Sequence, residues 1–439
     1  MVVGKWIGSV VVGSSLGAAI ALSNCGGDSE KPCEGNCIGT APPPADSSGP
    51  RGELDRTFTE GAGFKRVGAP GNGYPYVRAL RRAPDGSLVL VIDRDSPRLF
   101  HFSADGATDK TWGSSGVSTL DTTKFRETLD ITVDRAGRTL GLSSMAAPST
   151  KTGYVLARIL PNGQIDSSFA QGGYTAPIEL PSSDFLPLRV FEREDGKLLI
   201  VGHVIASGKS FAGFALVNAD GSPDTAFGTG GFKTHPTENL HDSVSRLADG
   251  TIVLTEARVL IAYDSNGDPR PSFGNGGRLD YSALVPDAHV EQLTLVTAPA
   301  SNGFIGCWNY GRNDGTEFGA ARFGPTGSLD TTFTATGTAT GFSPKGSGAP
   351  TCNTLQSAVT SRLFLAGINV LSLGNGVGWA VELGGDGGVD PTFAEGVRGD
   401  AGLLQIGIFE IYDSVPDTKA RAVVAGMSRG TPFIGRIYL

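Results

Sequence analysis

The chain has 439 residues, of which 64 are Gly and 26 Pro, and only 39% are hydrophobic. That composition fits many short strands joined by tight turns and argues against packed helices. The net charge of -8 and the pI near 5.2 provide no attraction for phosphate backbones. With no local Lys/Arg run to offset this, nucleic acid is not an expected partner.

The first two dozen residues carry one charge, Lys5, ahead of an apolar stretch from Trp6 through Ile20. This is the pattern of an export signal, and the run is too short and Gly-rich for a retained membrane anchor. It ends in Leu22-Ser23-Asn24-Cys25, which resembles the lipobox of bacterial lipoproteins. The resemblance implies that Cys25 is the lipidated first residue of the mature chain, held in the cell envelope at the outer membrane or cell surface. The alternative is cleavage after Ala19-Ile20-Ala21, which would release a secreted soluble protein. Of the five cysteines, at positions 25, 33, 37, 307 and 352, an even four remain if Cys25 carries lipid, which suits two disulfides.

Residues 26 to 51 are rich in Gly, Ser and Pro, including Pro42-Pro43-Pro44, and read as a flexible linker. A coil of that length reaches on the order of 25 to 30 Å. Cys33 and Cys37 can close a small loop within it, but spacing alone does not fix their pairing. The expected organisation is a signal over 1–25, a linker over 26–51 and one folded region over 52–439.

Within the folded region Gly-x-x-Asp-x-x-Phe recurs in chain order: Gly52-Asp55-Phe58, Gly106-Asp109-Trp112, Gly163-Asp166-Phe169, Gly221-Asp224-Phe227, Gly267-Arg270-Phe273, Gly327-Asp330-Phe333 and Gly387-Asp390-Phe393. A period of roughly 46 to 60 residues points to a propeller or solenoid. The first unit reads as four strands: Tyr76 to Arg82, a turn at Asp85-Gly86, Ser87 to Arg94, then Arg98 to Ser103, the motif, and Gly116 to Leu120. Four antiparallel strands per unit form a propeller blade. The Asp-Gly pairs at 85–86, 195–196 and 249–250, like Asn302-Gly303, suggest type I′ turns. The last residues, Pro432 to Leu439, read as a third strand with no fourth after it, and Phe64 to Val67 can supply the missing one. The expected fold is therefore all-β: a seven-bladed β-propeller of four-stranded antiparallel blades, closed by an N-terminal outer strand pairing with the C-terminal strands.

The runs from Asn162 to Gly173 and from Asp220 to Gly231 resemble the delta-60 repeat, a unit of β-propellers of unknown function. The resemblance covers nearly everything from Gly52 onward. It implies the fold and supplies no catalytic residues.

The motif reads as a folding device, because Asp bonds nearby backbone N–H groups in turns, Gly takes the special dihedral and the ring fills the space between blades. Two acids per turn are too few for a calcium loop, so no metal is expected. No nucleophile or zinc motif is present, and the histidines at 101, 203, 235, 241 and 289 share no repeat position. Catalytic residues and cofactors are therefore expected to be none. His235 and His241 read as lying in a solvated loop. Cys307 and Cys352 fall on the same side of adjacent blades, which predicts a disulfide. Connections between second and third strands, or between blades, vary in length, as at 205–213, 234–242 and 308–317, and variable loops on a rigid scaffold are where binding resides. Trp308, Tyr310 and Arg312 are the candidate contact cluster, with burial of Trp308 in its own blade as the alternative. The expected function is that of a monomeric, non-catalytic binding or scaffolding module for an envelope protein or glycan; the alternative is a propeller hydrolase or lyase with an axial site on the variable-loop face.

Overall fold

The structure is a computed structural model. It describes residues 51–439 apart from 69–73, 94–95, 145–152, 181–183, 238–239, 257, 283–288, 299–302, 313–314, 334–337, 343–348, 358–362, 373–374, 385–388, 391, 394–398, 401–402, 407–408 and 418–420. Cys25, Cys33 and Cys37 lie outside the described residues.

The protein is an all-β propeller. Among the described residues there are seven antiparallel sheets. The first blade runs Tyr76–Arg82, Leu88–Asp93, Arg98–Phe102 and Val117–Thr119, and the third runs Asp184–Glu192, Leu198–Ala206, Lys209–Val217 and Phe232–Pro236. The sixth departs from four strands: beyond Asn375–Leu383 it carries Leu403–Ile406 and then the short Gly399–Asp400. The first strands of successive blades neighbour one another in a cycle, and Phe409–Pro416 of the seventh meets both Ala349–Ser357 of the sixth and Tyr76–Arg82 of the first.

Each blade is sandwiched between two others, so its second strand is apolar on both faces and shows no alternation. Leu88–Asp93 is buried throughout: Leu88, Leu90 and Ile92 pack toward Val415, Val423 and Ile434 of the seventh blade, whereas Val89 and Val91 pack toward Ile131, Val155 and Ala157 of the second. Seven such clusters, one per neighbouring pair of blades, make up the core of the described residues. The Cys307–Cys352 disulfide spans one seam, with Cα atoms 6.5 Å apart, joining Gly303–Arg312 of the fifth blade to Ala349–Ser357 of the sixth.

The turn chemistry differs from the sequence reading. At Asp85-Gly86 the Gly86 N–H donates to Ala83 O and the Ala83 N–H to Ser87 O. Only Gly86 has positive φ, at 89°, so this is a type I turn closed by a left-handed glycine rather than type I′. The Asp stays right-handed and uses its Oδ1 to accept from Ser87 N and Oγ. True two-residue turns with both φ values positive occur instead at Ser207-Gly208 and Arg429-Gly430, the first of them inside the expected loop 205–213.

Phe64–Arg66 pairs antiparallel with Thr431–Tyr438, Phe64 opposite Gly435, so residues from the two ends of the folded region share the seventh sheet. Leu54 also bridges Ile437, and the Gly52 N–H donates to Tyr438 O at 2.8 Å. At the centre of this junction is Asp55, fully buried. Its Oδ2 accepts from Arg421 Nη1 at 2.6 Å and Arg436 Nε at 2.7 Å, and its Oδ1 from Thr57 N and Oγ1 and from Tyr438 Oη. Burial by itself raises the Asp55 carboxyl, but the hydrogen bonds of Thr57 and Tyr438 and the charge of Arg436 outweigh it and hold the group below its ordinary value.

Because Asp55 has a lowered folded pKa, its contribution to stability is present above the ordinary carboxylate value of 3.8 and is lost as pH falls through the lower folded value. Asp55→Ala leaves Arg421 and Arg436 buried with Asp417 as the acid they still share and costs about 3–5 kcal/mol, read as a fall in urea midpoint at neutral pH. Asp55→Asn shows a shallower loss of stability below pH 4 than the parent chain, and an unchanged acid limb would contradict the assignment.

Candidate functional site

The motif residues lie at the seams between blades, on the face carrying the short turns. The aromatic is buried at every repeat: Phe58, Trp112, Phe169, Phe227, Phe273, Phe333 and Phe393. The glycine of the following repeat provides the room. A Cβ on Gly106 would meet the Phe58 ring at 2.6 Å, one on Gly163 the Trp112 ring at 2.5 Å, and one on Gly221 the Phe169 ring at 2.9 Å. The residue after the aromatic fastens the same contact through its backbone N–H: Thr59 donates to Asp105 O, Gly113 to Asn162 O, Ala170 to Asp220 O and Gly274 to Thr326 O. Gly267 departs, facing Phe214 instead of Phe227.

Each motif Asp works with both oxygens. Oδ1 accepts from the residue two ahead, as at Asp109 with Thr111, Asp166 with Ser168, Asp224 with Ala226, Asp330 with Thr332 and Asp390 with Thr392. Oδ2 takes a basic group, most often from eight residues earlier on the third strand. Arg158 reaches Asp166, Arg322 reaches Asp330, both at 2.7 Å, and His101 reaches Asp109 at 3.1 Å. The same basic group covers the aromatic: Arg158 stands 4.4 Å from the Phe169 centroid, Arg322 5.2 Å from Phe333 and Arg436 4.8 Å from Phe58, while His101 stacks on Trp112. Where the third strand lacks a cation, another position supplies it. Lys197 pairs with Asp224. In the fourth blade the charges are exchanged, Arg270 meeting Asp249 at 2.8 Å. In the sixth, the corresponding third-strand residue is the acid Glu382, and Arg51 bridges it to Asp390.

Two expected features are corrected. Trp308 is 1% exposed and packs with Phe273, Tyr281 and Phe304 between the fourth and fifth blades, so it is not a surface contact. The segment expected as a loop is strand: Gly303–Arg312 continues into Gly315–Phe323 with Tyr310 opposite Glu317, and Gly319 leaves space for the indole. The side chains of Tyr310 and Arg312 lie outside the described residues. His235 belongs to strand Phe232–Pro236, its Nε2 2.7 Å from Gly267 O and its ring against Tyr263. The side chain of His241 lies outside the described residues.

The opposite face, where first strands begin, carries what the sequence reading did not single out. Tyr74 and Tyr76 are 75% and 57% exposed, and Leu186 and Ile205 of the third blade are also exposed. Arg78 stands 5.7 Å from the Tyr76 centroid and is anchored by Asp93 at 2.9 Å, with Glu127 at 3.5 Å. Asp93 is buried and its carboxyl is raised by that burial, against the opposing hydrogen bonds and charge of Thr128 and Arg78. Tyr412 of the seventh blade donates to Glu410 at 3.0 Å; burial, then Glu410 and then Tyr76 push its phenol up. Exposed tyrosines beside an anchored arginine can stack on a planar or pyranose surface while donating and accepting hydrogen bonds at its edge. Among the described residues no group of three or more His, Cys, Asp or Glu is placed to hold a metal.

Residues 193–227 match a protein family described as a domain of unknown function (DUF5122) beta-propeller. No curated protein matches the chain. Among solved structures, the chain is similar to a polysaccharide lyase at 10% identity and a TM-score of 0.43, covering 88% of this chain and 95% of that one. It is similar to the PQQ-bound aldose sugar dehydrogenase of Streptomyces coelicolor at 11% identity and a TM-score of 0.36, covering 85% and 97%. For prolyl oligopeptidase B of Galerina marginata the figures are 14% and 0.38, with 70% of this chain spanning 41% of that one. The cycle of antiparallel sheets is the architecture of a β-propeller, and residues 193–227 within it are similar to a propeller family without assigned activity.

The seam geometry sets an order among glycine replacements. Gly172→Ala, at φ +65° with open space around the Cβ, costs about 1–2 kcal/mol for its left-handed backbone. Gly106→Ala incurs a similar cost and also collides with Phe58, adding about 1–3 kcal/mol; equal losses in urea unfolding would contradict the interlock.

Proposed function

We propose that the chain is an envelope lipoprotein whose seven-bladed propeller is a non-catalytic binding or scaffolding module for an envelope protein or glycan. The observation that carries this reading is the solvent exposure of Tyr76, which opens strand Tyr76–Arg82, and of Tyr74 just ahead of it, while the other described large aromatics are covered. Ordered aromatic surface is costly to leave in water, and clusters of it beside an anchored arginine serve as contact anchors. Arg78 is held by Asp93 and so faces a partner with little side-chain entropy left to lose. The lipobox-like end at Cys25 and the linker after it support attachment to a membrane by a lipid, with the propeller free to meet its partner.

The test of binding is capture from detergent-solubilised envelope extract on immobilised residues 26–439. Tyr74→Ala/Tyr76→Ala lowers recovery of specifically captured material roughly tenfold or more, about 1.4 kcal/mol, without lowering the melting temperature. Undiminished capture by the double variant overturns the reading. For anchoring, Cys25→Ser shifts the protein from the membrane to the soluble fraction, and continued membrane association overturns the lipid attachment.

A further inference from the structure

The chain that follows a motif aromatic turns back into the fourth strand of its blade through a tight hairpin. In four repeats the first residue of this turn donates its N–H to the carbonyl three residues on: Ser114 to Val117 O, Gln171 to Tyr174 O, Thr229 to Phe232 O and Asn275 to Arg278 O. Of these four positions, the one in the fourth blade holds Asn. It stands in the run Gly274-Asn275-Gly276-Gly277, whose three glycines take φ values of 52°, 64° and 93°. Asn275 and Gly276 are exposed, and a Cβ on Gly276 would meet nothing within 4 Å. Among the described residues the Gly276 N–H has no acceptor and the Asn275 side chain no hydrogen bond.

We propose that Asn275 is a site of covalent modification, at which the side-chain amide is exchanged for an acid and the main chain rerouted as isoaspartate, and that this loosens the outer strand of the fourth blade. The Gly276 nitrogen attacks Asn275 Cγ. The Cγ–Nδ2 bond breaks, and the proton lost by the Gly276 nitrogen passes through solvent to the departing ammonia, which leaves a cyclic succinimide. Water then opens the ring. Addition at the side-chain carbonyl gives an ordinary peptide link carrying aspartate; addition at the main-chain carbonyl gives isoaspartate, with an extra methylene in the main chain. The net change is one water in and one ammonia out, with no oxidant or reductant.

A main-chain nitrogen whose N–H is held in a hydrogen bond is not placed to attack, and glycines on both sides let the chain swing the Gly276 nitrogen over Cγ. Two other Asn-Gly pairs have described side chains, and both are closed. Gly163 donates to Leu160 O at 2.8 Å, while Asn162 Oδ1 accepts from Gln164 N at 3.1 Å. Gly267 donates to Asp264 O at 2.9 Å. Both glycines are buried, Gly163 against the Trp112 ring and Gly267 against Phe214, so each nitrogen is released only by local opening of its seam.

The outer strand that the modified turn must hold, Arg278–Asp280, is three residues long and pairs with Val259, Leu260 and Ile261. Arg278 also holds the buried Glu256. An added main-chain atom at residue 275 shifts Arg278 out of the register that the two-residue turn sets. The site is independent of the tyrosine surface.

The full chain is incubated at mildly alkaline pH, folded or in urea, then digested and analysed by mass spectrometry with isoaspartyl and aspartyl peptides separated. In the folded chain Asn275 converts at least about tenfold faster than Asn162 or Asn266, with isoaspartate the larger product, and in urea the three sites fall within about threefold of one another. The urea midpoint of the folded chain falls as product accumulates. Asn275→Gln, whose longer side chain closes the ring far more slowly, keeps its midpoint through the same incubation; should that variant not fold, the three rates in the parent chain decide. Equal rates at the three sites in the folded chain, the same preference persisting in urea, aspartate without isoaspartate, or an unchanged midpoint after conversion overturns the proposal.

Discussion

A ring of sheets is stable only if its two ends meet, and in this protein the meeting is made by one buried carboxylate. Asp55 arrives on the N-terminal ribbon and accepts hydrogen bonds from Arg421 of the second strand and Arg436 and Tyr438 of the third strand of the last blade. An anion removed from water this far is tolerable only when its acceptor positions are filled, and both oxygens of Asp55 are. Main-chain pairing of Phe64–Arg66 with Thr431–Tyr438 then covers what would otherwise be an open sheet edge. Without that junction, the clusters that Phe58 and Leu54 join on either side of the seventh blade would each lose a wall.

The other seams repeat the device with substitutions that keep an acid paired with a basic group. An acid in the turn, a base reaching across it and a ring beneath the base recur, and departures in one member are answered in another. Exchange of acid and base at Asp249 and Arg270 leaves the pair intact. The second acid at Glu382 is answered by Arg51, so the residue just ahead of the closing ribbon also fastens the sixth blade. First-strand polar groups tie the axis in a similar way: Arg81 joins Asp130 of the second blade to Asp413 of the seventh, and those carboxylates accept the Val190 and Leu80 N–H groups of the blades that follow.

Much of this was legible from the residues alone. The spacing of Gly, Asp and the aromatic gave the period, the absent last strand gave the partner for Phe64, and strand direction gave the Cys307–Cys352 bridge. What the sequence hid has physical reasons. Asp-Gly serves a type I turn with one left-handed glycine as readily as a type I′ turn, so the dipeptide does not choose between them; hairpin register does. Trp308 looked like loop because Asn309 and Gly311 are turn-formers, yet pairing with Gly315–Phe323 carries the strand through them. The bases that partner the motif acids come from His, Lys or Arg at more than one position, so they leave no fixed signature. Tyr74 and Tyr76 sit at the start of a strand whose later residues are core, and only burial distinguishes them.

Closure is tested most directly by separating the ribbon from the ring. A chain beginning at residue 68 is refolded alone and with a synthetic peptide of residues 51–67, and cooperative urea unfolding is recorded for each. The account predicts that the shortened chain unfolds non-cooperatively or aggregates and that the peptide restores a single transition, whereas a peptide carrying Asp55→Ala does not. A shortened chain as stable and cooperative as the parent would contradict it.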